Sequence, residues 1–233
     1  MDSREIAKKS LEVAAIQLDP VNFFRQFNIN KPIFLNLQNL LIDYNDRKLI
    51  IDSFIDRLGE NCEGFAAISN IGASIASNLV EHYKGNYVFL VDKKVEKNFG
   101  ANYSIEYNGP RKKYYLDHVD GLIGKEFILV DDKLGTGCAI IRAVSAIRRE
   151  NIYCNKFLCI FDFEYENIKK MLSGEEGFNK YNHKLTPPVK TVSLFDLETL
   201  LQVSVENNYI DEGGKRNLFL WRDRQKCNST YIK

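Results

Sequence analysis

Histidine occurs three times and cysteine five times in 233 residues, and neither is arranged to hold a metal. Cys62, Cys138, Cys154, Cys159 and Cys227 are odd in number and lack CxxC spacing, which argues against a zinc cluster and a disulfide framework. No apolar window reaches the length of a membrane span. The opening "MDSREIAKKSLEV" carries charge where a secretory peptide needs an apolar core. The formal charge is +1, so no global field favours nucleic acid or an anionic membrane. Internal repeats, low-complexity runs and linker-like composition are missing too. What these absences leave is a cytoplasmic globular protein with reduced thiols and no nucleic-acid or membrane partner. Its length suits a single core.

What is present is alternation. Residues 2–15 read as a helix, "PIFLNLQ" as a short strand, and "DRKLIIDSFIDRL" as a helix starting at an Asp46 cap. "FAAIS" is a buried-strand pattern; Gly72 falls in the turn after it, and "ASIASNLVEHYK" is helical. "NYVFLV" is a strand. "DKKVEKNFGANYSIEYNGPRKK" has no clean period and reads as a long excursion, either a mobile loop or a hairpin. Then come strand "YYLDHV", strand "EFILVDD", helix "AIIRAVSAIRREN", strand "KFLCIFDF" and a short helix "ENIKKMLSG". "KTVSLFDLETLLQVSVENN" reads as a strand and a helix capped by Asp196 or Ser193. In the basic closing stretch, Trp221 and Phe219 suggest docking. Strands alternating with helices predict an α/β fold with a mostly parallel central sheet.

The stretch "FILVDDKLGTGCA" carries the chemistry. Four apolar residues run into Asp131 and Asp132, then a glycine-bearing turn opens a helix. Ligands of parallel sheets bind beyond the carboxyl ends of the strands. Backbone N–H groups at a helix start, approached closely past glycine, form an anion site. Two carboxylates beside it can accept sugar hydroxyls or hold a hydrated Mg²⁺. A ribose 5-phosphate has both complementary parts. Neither a Walker A motif nor a GxGxxG fingerprint is present at this turn. The plainer alternative is an ordinary strand, turn and helix with a solvated acidic pair.

"FILVDDKLGTGCAI" resembles the phosphoribosyl-pyrophosphate (PRPP) signature of the type I phosphoribosyltransferases, and most of the chain resembles orotate phosphoribosyltransferase. "INKPIFLNLQNLL" is similar to that family's early segment, "AISNIGASIA" takes the place of its pyrophosphate loop, and "DKKVEKNFG" resembles the start of its mobile catalytic loop. "VDGLIGKEFILVDD" and "TVSLFDLETLL" match the approach to the PRPP strand and the C-terminal strand and helix. The resemblance implies a single domain over 1–233, with a hood from about 1–40 and the chain end and a core over about 45–205. It implies that Asp131 and Asp132 contact the ribose hydroxyls. Gly135, Thr136, Gly137, Cys138 and Ala139 would hold the 5-phosphate, and Lys93 and Lys94 would face PRPP. Lys97, Asp131 and Asp132 would be catalytic, with Lys97 reaching the site of a homodimer partner. Mg²⁺ would be bound through PRPP near Asp131, with no direct protein ligand. Lys31, Phe34 and Phe163 would contact the base, orotate, in pyrimidine nucleotide synthesis.

The pattern also breaks. Lys93 stands for an arginine, Gly135 and Cys138 for threonines, and Phe99 for a histidine or tyrosine. "NLQ" replaces Asp-Leu-Arg, and Ser69 and Ser74 stand where the family often has proline. At "IFDFEYEN" Phe163 replaces the arginine that binds the carboxylate of orotate, a loss of a few kcal/mol in a charge-assisted contact. Another cation, Lys31 or Arg25, could substitute, or the acceptor is a different base. Phe163 could stack on a base or belong to the core. A non-catalytic PRPP- or nucleotide-binding regulator on the same fold is the reading from another class.

Overall fold

The computed structural model describes residues 2–26, 29–59, 63–83, 87–95, 112–116, 121–177 and 183–224. The chain divides into two compact units, and each is taken by itself. The first gathers the described residues of Met1–Leu58, Ile160–Tyr165 and Ser193–Lys226; the second those of Gly59–Cys159 and Glu166–Val192.

The first unit opens with α1 (Ser3–Glu12), started by Asp2, whose carboxylate accepts the Arg4 N–H. Two small antiparallel pairs follow, β1 (Ile16–Leu18) with β4 (Ile33–Leu35) and β2 (Phe24–Gln26) with β3 (Ile29–Lys31). "PIFLNLQ" is thus a strand only in part, because its second half turns into a 3-10 helix over Leu37–Leu41. Helix α2 runs over Tyr44–Leu58. Its start is held by Asp43, whose Oδ1 accepts the N–H groups of Asn45 (2.8 Å) and Asp46 (3.2 Å). Asp46, the expected cap, lies inside the helix.

The second unit carries β5 (Gly64–Ala67), α3 (Asn70–Tyr83), β6 (Tyr87–Val95), β7 (Lys112–Leu116), β8 (Glu126–Val130), β9 (Lys133–Leu134) and α4 (Cys138–Arg149). β10 (Tyr153–Asp162), α5 (Glu166–Leu172) and β11 (Lys190–Asp196) follow. α6 (Leu197–Glu206) and α7 (Glu212–Arg224), which belong to the first unit, end the described chain. Asp196 is the α6 cap, accepting the Thr199 N–H at 2.8 Å, as one of the two expected candidates. α7 was not expected, because "DEGGKRNLFLWRDR" shows two glycines in its first turn.

The main sheet has the order β11-β10-β8-β5-β6-β7, with β9 bridging to β10. β8 pairs in parallel with both β10 and β5, β5 in parallel with β6, and β6 antiparallel to β7. The mostly parallel α/β architecture is the one expected. β6 extends past "NYVFLV" into charged "DKKV", and its antiparallel partner β7 gives the excursion hairpin strands. Residues 96–111 lie outside the described part. β8 is central: Phe127, Ile128, Leu129 and Val130 are buried, a run that a two-sided parallel sheet requires. Phe65 on β5, Phe157 on β10, Ile75 and Leu79 on α3, and Ile141, Val144 and Ile147 on α4 likewise have no exposed surface. Across the described residues, no helix is long and apolar enough to cross a membrane.

Candidate active site at the end of the central strand

β8 stops where its pairing stops. The Asp131 N–H still donates to Leu158 O on β10 at 3.0 Å, and the Ile68 N–H donates to Val130 O at 3.1 Å. The chain then bends, so the carboxylates of Asp131 and Asp132 emerge at the carboxyl end of this central strand. Asp131 is only 8% exposed. Its Oδ1 accepts the Asp132 N–H at 2.9 Å, and the Ser69 hydroxyl also donates to its carboxylate. Burial, then the neighbouring Asp132 charge, push its pKa up to about 6, against the hydrogen bonds from Ser69 and the Asp132 backbone and the charge of Lys133. Asp132 is clasped from the other side: Lys133 Nζ lies 2.8 Å from its Oδ2.

Ser69 also ties this end of β8 to the next helix. Its Oγ accepts the Gly72 N–H at 3.0 Å, and its carbonyl accepts the Ala73 N–H at 2.8 Å. Gly72 lies in the first turn of α3, not in the turn before it. A Cβ there would sit 2.5 Å from Val130 O and 3.2 Å from Asp131 Cα, so only glycine lets the helix start this close to the acidic end.

The turn beyond the pair runs through β9 to α4. Gly137 holds φ +69°, and its side-chain position faces Ile168 of α5 at 2.8 Å. Being glycine, it gives the α4 N-terminus no side-chain cap. Gly135 has open space where a Cβ would stand, and Thr136 is exposed. Cys138 and Ala139 open α4 and are half-buried. A backbone turn of this form, followed by a helix start, can receive a phosphate. Two adjacent carboxylates can receive hydroxyls. Among the described residues no group of three or more metal-ligating side chains exists. Two adjacent carboxylates can also hold a hydrated Mg²⁺ through its waters.

Asp131, Asp132 and the stretch Gly135–Ala139 thus form one continuous constellation in the second unit. Lys93 and Lys94 are on β6 of the same unit, paired with Tyr114 and Lys113 of β7. Lys97 lies outside the described residues. Lys31, Phe34 and Phe163 belong to the first unit. Lys31 is exposed at the end of β3, and the Phe34 ring is 6.0 Å from that of Phe24. Phe163 is 7% exposed. Its ring meets Phe161 edge-on at 4.8 Å, stacks on Tyr165 at 5.6 Å and lies 6.2 Å from Trp221. Of the closing stretch, the described part to Arg224 brings Trp221 against Phe163, and residues 225–233 lie outside the described part. Ser69 and Gly72 were expected only as members of the segment "AISNIGASIA", with no part at the acidic pair, and Lys133 carried no expected role. Only Lys133 had a visible signal, its place directly after the acidic pair.

The architecture is shared with solved proteins. The chain superimposes on the UMP synthase of Leishmania donovani with a TM-score of 0.67 at 14% identity, over 95% of its own length and 42% of that protein's. It superimposes on orotate phosphoribosyltransferase from Aeropyrum pernix with a TM-score of 0.61 at 15% identity, over 84% of this chain and 96% of that one. The fold is that of a type I phosphoribosyltransferase. In sequence, the chain is similar to orotate phosphoribosyltransferase of Streptococcus mutans, 25% identical over 230 residues, covering 95% of this chain and 99% of that protein. No family model matches. The resemblance to orotate phosphoribosyltransferases therefore extends along nearly the whole chain.

Proposed function

We propose that the protein is a phosphoribosyltransferase that moves the 5-phosphoribosyl group of PRPP to a nucleobase, orotate first among candidates, releasing pyrophosphate. The observation that supports this reading most is the end of β8: a buried carboxylate, a half-buried one beside it, and a glycine turn leading to a helix start. Asp131 and Asp132 hold the ribose hydroxyls, and Gly135, Thr136, Gly137, Cys138 and Ala139 receive the 5-phosphate. Mg²⁺, held mainly through PRPP near Asp131, would supply positive charge to the leaving pyrophosphate. Lys94 faces the pyrophosphate, and Lys97 neutralises charge on it from a partner copy in a homodimer. Lys31 and Phe34 are proposed contacts to the base, and Phe163, packed among rings, can offer it only its small exposed surface.

A second acceptor class is favoured by one observation. At the end of β10 the chain reads Asp162, Phe163, Glu164, two carboxylates around a buried ring. That tip suits a base without a carboxylate better than orotate, which needs a cation. The test is an assay of purified protein with PRPP and Mg²⁺, offering orotate and then uncharged bases, with pyrophosphate release followed throughout. Turnover with orotate supports pyrimidine nucleotide synthesis. Turnover only with an uncharged base moves the acceptor, and no release with any base removes the catalytic reading.

A further inference from the structure

The constellation at the β8 end has a cation that the reading above does not use. Successive residues of an extended strand point to opposite faces, so the side chains of neighbours rarely meet. Asp132 sits in a bend between β8 and β9, however, and this lets Lys133 reach back to its Oδ2 at 2.8 Å. The Asp132 side chain is 14% exposed and that of Lys133 is 40% exposed. The Lys133 backbone belongs to β9, which pairs with β10, so the base of its side chain is anchored to the sheet.

The charge arithmetic gives this ion pair its meaning. A phosphorylated ribose is an anion, and two adjacent carboxylates repel it. The two carboxylates are already unequal: Asp131 is buried against Ser69, and Asp132 faces the lysine. One lysine leaves a carboxylate with lone-pair positions for hydroxyls while removing its net charge. Resting on the ribose-phosphate reading of this site, we propose that Lys133 is a positioning residue that holds Asp132 and offsets its charge, so that the acidic pair can receive an anionic sugar phosphate.

The test uses ribose 5-phosphate as the probe, titrated calorimetrically into the full chain, into Lys133→Met and into Lys133→Arg, at low and at high salt. Thermal melts confirm that the variants are folded. The expected result is about tenfold weaker binding for Lys133→Met at low salt, a smaller loss at high salt as the repulsion is screened, and affinity close to wild type for Lys133→Arg. Unchanged or tighter binding by Lys133→Met overturns the inference while leaving the site intact. Equal losses in both variants, insensitive to salt, overturn it too, since they mark a structural role. A wild-type protein that binds no ribose 5-phosphate overturns the site reading itself, and this inference with it.

Discussion

At the end of β8 the chain leaves two carboxylates beside a turn whose Thr136 is exposed and whose Gly135 borders open space. At the end of β10 it folds Asp162 back onto its own backbone, accepting the Glu164 N–H at 2.7 Å, and buries Phe163 among rings. Glu164 takes a left-handed φ of +59°, and its carboxylate accepts the Glu198 N–H at the start of α6. Both strands end in aspartate, yet their surroundings differ. In one, Asp131 has its pKa raised by burial beside a second acid, and a lysine answers the other charge. In the other, the polar groups are spent on local turns and the aromatic side chain on packing. A carboxylate after a strand is therefore informative only with what lies around it: open turn and uncapped helix start, or closed turn and core.

Three substitutions sharpen that contrast. The largest expected effect is Phe163→Ala. Emptying a buried aromatic site should lower stability by about 3–5 kcal/mol, measured by denaturant unfolding, and a loss under 1 kcal/mol would mean the ring is not core. Gly72→Ala comes next: a methyl 2.5 Å from Val130 O forces α3 away from β8. A loss of about 1–3 kcal/mol is expected, whereas Gly135→Ala, meeting nothing within 4 Å, should stay within about 0.5 kcal/mol of wild type. Equal effects at the two glycines would break the assigned geometry.

The smallest effect is in the pH dependence. The folded Asp131 pKa, about 6, lies above its ordinary 3.8. Between those values the native state binds more protons than the unfolded chain, so this group makes stability fall as pH rises through the window and leaves it flat above. Asp131→Asn removes the buried charge. Its melting temperature should exceed that of wild type at pH 8 by a few degrees, with the difference closing toward pH 4. A variant less stable than wild type at pH 8 would contradict the burial penalty.

Much of the fold was legible because its periodic segments are long. The apolar run Phe127–Val130 between polar residues, and the alternation of such runs with helical ones, needed no tertiary information. The strands β1, β2 and β3, at three residues each, are too short to show a period. The candidate phosphate turn was readable since Asp131 to Ala139 is local in sequence. Ser69 was not, because its bond to Asp131 joins two strand ends that only the β5–β8 pairing brings together. Gly72 looked like turn punctuation; its reason is a close backbone approach invisible in one dimension. Phe163 was readable either as a stacking surface or as core, and only its contacts with Phe161, Tyr165 and Trp221 place it among buried rings.

The most direct test of the central claim is calorimetric titration of PRPP with Mg²⁺ into wild-type protein and into the double variant Asp131→Asn, Asp132→Asn. The account predicts saturable heat from the first and none from the second, with both proteins folded by circular dichroism. Equal binding by the two would contradict the assignment of the β8 end as the ribose-phosphate site.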